Sequence, residues 1–118
     1  MFTGYVIGVP ADQGSPTAFT TDKLFSSQPS LLYYLTAMNK SAGDLVIELY
    51  DIATAYTGTP ILIPRILLCP TNATVGWMNY RMRNGIYVRA VDAVAGSLIG
   101  TNDVQFDCGY SSPWPNAV

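Results

Sequence analysis

The sequence contains no histidine, and this absence removes several classes of chemistry. Without an imidazole there is no Ser-His-Asp triad, no Cys-His pair and no histidine general base. A metal site with an imidazole ligand is excluded for the same reason. The Gly-x-Ser-x-Gly elbow and the glycine-rich phosphate loops are missing too. We therefore predict that the chain is not an enzyme and carries no cofactor.

Charged side chains are also scarce. Lys+Arg number 6 and Asp+Glu 8 in 118 residues, which makes 12% charged residues and a formal charge of −2. The charged share is about half of that usual in soluble proteins. A negative net charge argues against a protein that neutralises nucleic-acid phosphates. A surface with so few ionised groups favours self-association, or contact with a partner that covers it.

Cysteine and long apolar runs are rare as well. Cys69 and Cys108 are too few for a disulfide framework. We interpret them as buried thiols, with a bridge between neighbouring strands as the alternative. The longest apolar stretch, Pro60–Cys69, is interrupted by Pro64 and Arg65 and is too short to span a bilayer. No secretory leader is visible, so we expect cytoplasmic synthesis and no membrane partner.

Turn-forming residues recur at short intervals and separate segments rich in β-branched and aromatic residues. This rhythm is typical of all-β sandwiches and barrels. Residues 44–52, 85–91 and 103–110 alternate between apolar and polar positions, as half-buried strands do. We therefore predict a single antiparallel β-sandwich with jelly-roll character in residues 17–110. Residues 1–16 form a possible N-terminal arm and residues 111–118 a C-terminal tail, either of which could lie on a neighbouring subunit or fray.

Two segments are ambiguous in the sequence. Ser30–Lys40 has apolar residues that also fit one side of a helix, although we predict a strand. Asn84-Gly85 is a strong hairpin signal. A two-residue turn at this dipeptide would place Arg81 and Arg83 beside the presumed core positions. We therefore expect a bulge or kink at the glycine rather than a tight hairpin.

The acidic residues suggest no catalytic or metal site. A glycosidase needs two carboxylates that face each other across a cleft, and no such pair is indicated by the sequence. No Asp-x-Asp-x-Asp-Gly calcium loop is present, although a calcium site made from a few aspartates and carbonyl oxygens stays open. We interpret these carboxylates as solvated or turn-forming groups and expect no metal.

Arginine and aromatic residues are concentrated in one region. Three of the six basic residues, Arg81, Arg83 and Arg89, lie within nine positions and near three aromatic side chains. Such a cluster could stack on single-stranded nucleic acid, form ordinary surface pairs or anchor a protein partner. Since the chain is acidic, we expect no nucleic-acid partner. The candidate interface residues, with one from the tail, are Trp77, Tyr80, Arg81, Arg83, Tyr87 and Trp114.

Exposed aromatic residues suggest one further class of ligand. Tyr33, Tyr34, Tyr56 and Trp114 could line a groove for a sugar, because aromatic faces pack on pyranose rings. Core packing and subunit contacts explain such residues more often. A glycan partner is therefore the minor alternative.

A series of short motifs in the last two-thirds of the chain resembles a known group of proteins. The motifs are Leu-Val-Ile-Glu-Leu-Tyr-Asp at 45–51, Thr-Pro-Ile-Leu-Ile-Pro at 59–64, Gly-Trp at 76–77, Asn-Gly-Ile-Tyr-Val-Arg at 84–89, and Asp-Val-Gln-Phe-Asp-Cys-Gly-Tyr at 103–110. Their order resembles that in small β-sandwich virion proteins of tailed bacteriophages, which decorate or cement the outside of the capsid. The first 43 residues carry no such match.

This resemblance implies a non-enzymatic structural protein. It would be synthesised in the bacterial cytoplasm, bind the major capsid protein on the capsid exterior, and associate with copies of itself as a trimer or dimer. It also implies a Pro-flanked apolar strand at 59–64. Two alternatives stay open: a neck, tail or fibre component of the virion, and a carbohydrate-binding β-sandwich module.

Overall fold

The computed structural model describes residues 20–94 and 104–112, together with the backbone of residues 12–14. These residues form eight strands and no helix. The strands are β1 (Asp12–Gly14), β2 (Asp22–Ser26), β3 (Ser30–Asn39), β4 (Leu45–Tyr50), β5 (Arg65–Cys69), β6 (Thr74–Met82), β7 (Ile86–Asp92) and β8 (Val104–Ser111). No segment of this part of the chain is a helix long and apolar enough to cross a membrane.

The strands form two four-stranded antiparallel sheets. Sheet A has the order β1-β8-β3-β6, and sheet B has the order β2-β7-β4-β5. β1 lies beside β8 and β3 beside β6 in sheet A, while β2 lies beside β7 and β4 beside β5 in sheet B. This is the arrangement of one long antiparallel ribbon rolled up into two sheets, which is a jelly roll. The predicted all-β, jelly-roll-like sandwich is confirmed.

The core lies between the two sheets and follows the alternation of the sequence. On β8, Val104, Phe106 and Cys108 are fully buried while the residues between them are partly exposed. The same alternation buries every second residue of β4 and β7 on the inner face. The buried cluster consists of Phe25, Leu32, Leu35, Ala37, Leu45, Ile47, Leu49, Cys69, Trp77, Met82, Ile86, Val88, Ala90, Val104, Phe106 and Cys108.

The ambiguous segment at Ser30–Lys40 forms the strand β3. Its register against β8 shifts between Leu32 and Tyr34, so Tyr33 is an extra residue on β3. Because of this bulge, Leu32 and Leu35 are both fully buried although they lie three positions apart. The bulge therefore explains why the spacing of the buried residues in this strand also fits one side of a helix.

One other local expectation is wrong. The segment 59–64 is not a strand: the strand begins at Arg65, and the side chains of Ile61 and Ile63 are 89% and 95% exposed. Within residues 1–16, the backbone of Asp12–Gly14 forms β1, which pairs with β8 at the edge of sheet A. The other residues of the possible N-terminal arm lie outside the described residues.

Asn84-Gly85 does not form a tight hairpin, as expected, but neither does it kink a continuous strand. It lies between β6 in sheet A and β7 in sheet B, so the chain changes sheets there. The carboxylate of Asp51 accepts hydrogen bonds from the backbone N–H groups of Arg83 (2.9 Å), Asn84 (2.7 Å) and Gly85 (3.2 Å). One side chain after β4 therefore fixes the crossover between the sheets.

Replacement of Asp51 by alanine is expected to lower the free energy of unfolding by about 1–3 kcal/mol, because three backbone donors lose their acceptor. Urea unfolding at fixed protein concentration measures this loss. Asp44→Ala is the matched control, since Asp44 accepts one longer hydrogen bond from the exposed Thr71 N–H (3.3 Å). Equal losses in the two variants would contradict the role given to Asp51.

Candidate interaction surface

Two of the predicted interface residues are buried within the chain. Trp77 is 8% exposed and belongs to the core between the sheets. Tyr87 is 3% exposed, and its hydroxyl donates a 2.7 Å hydrogen bond to Asp22. Neither side chain offers surface to a neighbour, so the contact role expected for them is wrong. The sequence showed that these aromatic residues are close together in the chain but not which face each one occupies.

The other predicted interface residues lie in different parts of the molecule. Arg81 and Arg83 are exposed, the former on β6 and the latter in the following turn. Tyr80 is partly buried against the core, and the Arg65 guanidinium lies 3.9 Å from the centroid of its ring. For these three residues a contact role stays a prediction. Trp114 lies outside the described residues.

A polar cluster occupies the outer face of sheet B. Glu48 on β4 forms an ion pair with Arg89 on β7 at 2.5 Å and accepts a 3.0 Å hydrogen bond from the hydroxyl of Tyr50. The ring of Tyr56 stacks on that of Tyr50 with centroids 4.5 Å apart. Since these groups satisfy one another, the cluster closes this part of the sheet rather than presenting unpaired groups to a ligand.

The tyrosines on this face are held in their neutral form. Burial, followed by the hydrogen bond to Glu48, raises the pKa of Tyr50 to about 12. Burial and the hydrogen bond to Asp22 likewise raise the pKa of Tyr87. The folded state therefore holds these phenolic protons more tightly than the unfolded chain does, where the pKa is about 10.

We expect thermal stability to fall in alkaline solution. The stabilisation from a raised tyrosine pKa is complete below about pH 10 and is lost as the pH rises through the folded-state pKa of Tyr50, about 12. Melting temperatures measured between pH 8 and 12 should decline less steeply in Tyr50→Phe than in the unchanged chain. Tyr80→Phe is the control, because Tyr80 lies on the other sheet with its ring against Arg65, and an equal change of slope in both variants would contradict the assignment.

Among the described residues, four exposed apolar side chains lie on β5 and in the segment just before it. Ile61 and Ile63 are 89% and 95% exposed, while Ile66 and Leu68 on β5 are 61% and 58% exposed. We call these four residues the β5 patch. Four exposed apolar side chains within eight residues of the chain are typical of an interaction site.

The position of β5 explains why this patch faces solvent. β5 is the last strand of sheet B and, among the described strands, pairs only with β4. Leu67 and Cys69 face inward, which leaves Ile66 and Leu68 on the outer face. The sequence did not reveal this patch, because apolar residues occupy both faces of the strand. The flanking Pro64 and Pro70 were the available signal, since proline is typical of edge strands and their ends.

A shallow cleft at one end of the sandwich is lined by polar groups. Its lining residues are Phe25, Ser26, Ser27, Gln28, Tyr110 and Ser112. The Ser30 hydroxyl donates a 2.7 Å hydrogen bond to Ser26 Oγ, which also lies 3.1 Å from Ser112 Oγ. These hydroxyl groups therefore connect the two sheets, and we assign no ligand to the cleft.

The two cysteines are free thiols. Cys69 and Cys108 are both fully buried and are not bridged. Burial raises the pKa of each thiol, which keeps it protonated. The interpretation of buried thiols is confirmed, and the alternative of a disulfide bridge is wrong.

The described residues hold no group of three His, Cys, Asp or Glu side chains that could bind a metal ion. Comparisons of the whole chain with protein-family models, with curated proteins and with solved structures find no match.

Proposed function

We propose that this chain is a non-enzymatic structural protein of a bacteriophage virion, which binds the capsid exterior as a homo-oligomer and reinforces the shell. The observation that carries the proposal is the β5 patch, because it exposes four large apolar side chains on a molecule with only 12% charged residues. Such a surface is stabilised when a neighbour covers it. The resemblance of the motifs between residues 45 and 110 supports the virion as the assembly.

The fold is compatible with this role. Jelly rolls occur in viral capsid proteins and in lectins, so the fold alone does not choose between a capsid protein and a glycan-binding module. The exposed surface favours a capsid protein over a glycan-binding module. Among the described aromatic residues, Tyr50 and Tyr56 stack on each other, and Trp77 and Tyr87 are buried. Among the described residues, the exposed large apolar side chains are aliphatic or, at Met78, a thioether, which suits a protein neighbour better than a sugar ring.

Interface energetics explain how such a protein would reinforce a shell. A standard contact covers about 800 Å² on each partner, and apolar burial contributes about 25 cal/mol per Å² before the costs of association. That contribution is lost if adjacent capsid subunits separate. Binding at many equivalent positions on the shell then opposes rupture through avidity.

Binding of the purified chain to emptied phage heads tests the proposal, with copy number per particle as the second measurement. We expect the chain to sediment with the heads in high salt and to be present in hundreds of copies per particle. Absence from the particle, or lack of affinity for heads, would overturn the proposal. A copy number matching one ring of subunits would place the chain in the neck or tail, and binding to a glycan array alone would identify a carbohydrate-binding module.

A further inference from the structure

Among the described strands β5 pairs only with β4, and its other edge carries little protection within the strand itself, since Pro64 and Pro70 lie just outside it. Exposed edges are normally shielded by charged residues, proline or bulges, because their unpaired backbone groups can accept another strand. β5 has one charged residue, Arg65, whose guanidinium lies over the ring of Tyr80. Its register against β4 is regular over all five residues. The apolar pair Ile66 and Leu68 stands beside this edge.

We propose that β5 of one copy pairs antiparallel with β5 of a second copy, around a two-fold axis at Leu67. The two copies of sheet B would then form one continuous eight-stranded sheet. This inference deepens the proposed function by naming the surface through which copies join, and it rests on the homo-oligomeric part of that proposal. Pairing of this kind is isologous, so it closes into a dimer and does not extend into a filament.

The prolines at the ends of β5 select this register. Residues directly opposite each other in an antiparallel pair lie on the same face of the sheet. Ile66 must therefore lie opposite a residue of the partner that is also on the outer face. If the two-fold axis lay at Ile66, Pro64 would fall within the ladder opposite the partner's Leu68. If it lay at Leu68, Pro70 would fall within the ladder opposite the partner's Ile66. Proline lacks the N–H group that a ladder needs. The register centred on Leu67 keeps both prolines outside the five paired residues.

The same register makes the strand complementary to itself. It places Ile66 opposite the partner's Leu68, and Leu68 opposite the partner's Ile66, which gives two apolar cross-strand pairs on the outer face. Arg65 lies opposite the partner's Cys69, so no two like charges are directly opposed. Apolar cross-strand pairs stabilise a sheet, whereas opposed like charges destabilise it.

The contact would combine side-chain and backbone contributions. Ile66 and Leu68, 61% and 58% exposed, would be covered by the partner within an interface whose standard size is about 800 Å² per partner. Backbone hydrogen bonds along the edge would add to the apolar contribution. Ile61 and Ile63 precede the paired strand and would lie near the turn that follows the partner's β5.

A charge-pair series tests both the surface and the register. In the I66K/L68K variant each lysine opposes a lysine of the partner, and we expect self-association to weaken on the order of 100-fold. In I66K/L68E each lysine opposes a glutamate, so we expect association within about 10-fold of the unchanged chain and a new sensitivity to salt. M78K/V94K is the control, because it adds two lysines at residues 69% and 97% exposed elsewhere.

Analytical ultracentrifugation of the full chain measures association, and circular dichroism checks that each variant is folded. Equal weakening of the I66K/L68K and I66K/L68E variants would overturn the register, and no weakening in either would overturn the β5 interface. Binding to emptied heads distinguishes this inference from the proposed function. If I66K/L68K leaves both oligomer and head binding unchanged, the inference fails while the proposed function stands.

Discussion

Phe106→Ala is expected to lower the free energy of unfolding by about 3–5 kcal/mol. Phe106 is the largest fully buried side chain of the core and lies opposite Ala37, at the point where β8 packs beside the central strand β3. Because the Ala37 side chain is small, the phenyl ring fills most of the volume at this position. Truncation would therefore leave a cavity that the surrounding strands cannot fill without breaking their ladders.

Equilibrium urea unfolding at fixed protein concentration measures this loss. Phe106→Leu is the conservative control and should cost roughly 1–2 kcal/mol, because most of the buried volume is kept. Val94→Ala, at a side chain 97% exposed, should change stability by less than about 0.5 kcal/mol. A loss below 1 kcal/mol in Phe106→Ala would show that the core between the sheets differs from the one described.

Gly85→Ala is expected to have a similarly large effect, at least roughly 3 kcal/mol, or to prevent folding. A Cβ atom at this position would lie 2.2 Å from the carbonyl oxygen of Ile52 and 2.5 Å from that of Ser26. Both are backbone atoms and cannot move away as the end of a flexible side chain can. The glycine is therefore required for the close approach of three chain segments where the chain passes from sheet A to sheet B.

Gly43→Ala is the matched control for this prediction. A Cβ atom on Gly43 meets nothing within 4 Å, and its φ is not in the left-handed region. The substitution should be neutral or stabilise the fold by about 0.4–1 kcal/mol, because it reduces the conformational entropy of the unfolded chain. Thermal denaturation compares the two variants, and equal melting temperatures would show that the crossover does not need a glycine.

Alternation in the sequence was sufficient to predict the central strands. β4, β7 and β8 lie inside their sheets, and each buries one face against the core, so apolar residues recur with period two. Their inward faces agree with the prediction for Leu45, Ile47 and Leu49 on β4. The jelly-roll character could be predicted for the same reason, because short strands separated by regular turns fit few architectures.

The edge strands could not be predicted in this way. β1 has three residues, too few to show a period. β5 is apolar on both faces, so the sequence pattern could not distinguish Arg65–Cys69 from the exposed segment 59–64. An edge strand lacks one neighbour, and its outer residues are therefore not selected by burial alone.

The candidate site was predicted only in part. The scarcity of charge indicated a surface that favours contact, but not where on the molecule that surface lies. The aromatic residues chosen for it were wrong in two cases, since Trp77 and Tyr87 are buried. Linear proximity to arginine could not reveal that β6 and β7 belong to different sheets, with Trp77 facing the core and Tyr87 on the outer face of sheet B.

The mass of the full chain in solution, measured by sedimentation equilibrium across a range of concentrations, tests the central claim most directly. If copies associate through their exposed apolar edges, the mass should rise with concentration from the 12.8 kDa of one chain towards a whole multiple of it. A mass that stays at 12.8 kDa at the highest concentrations reached would contradict the account.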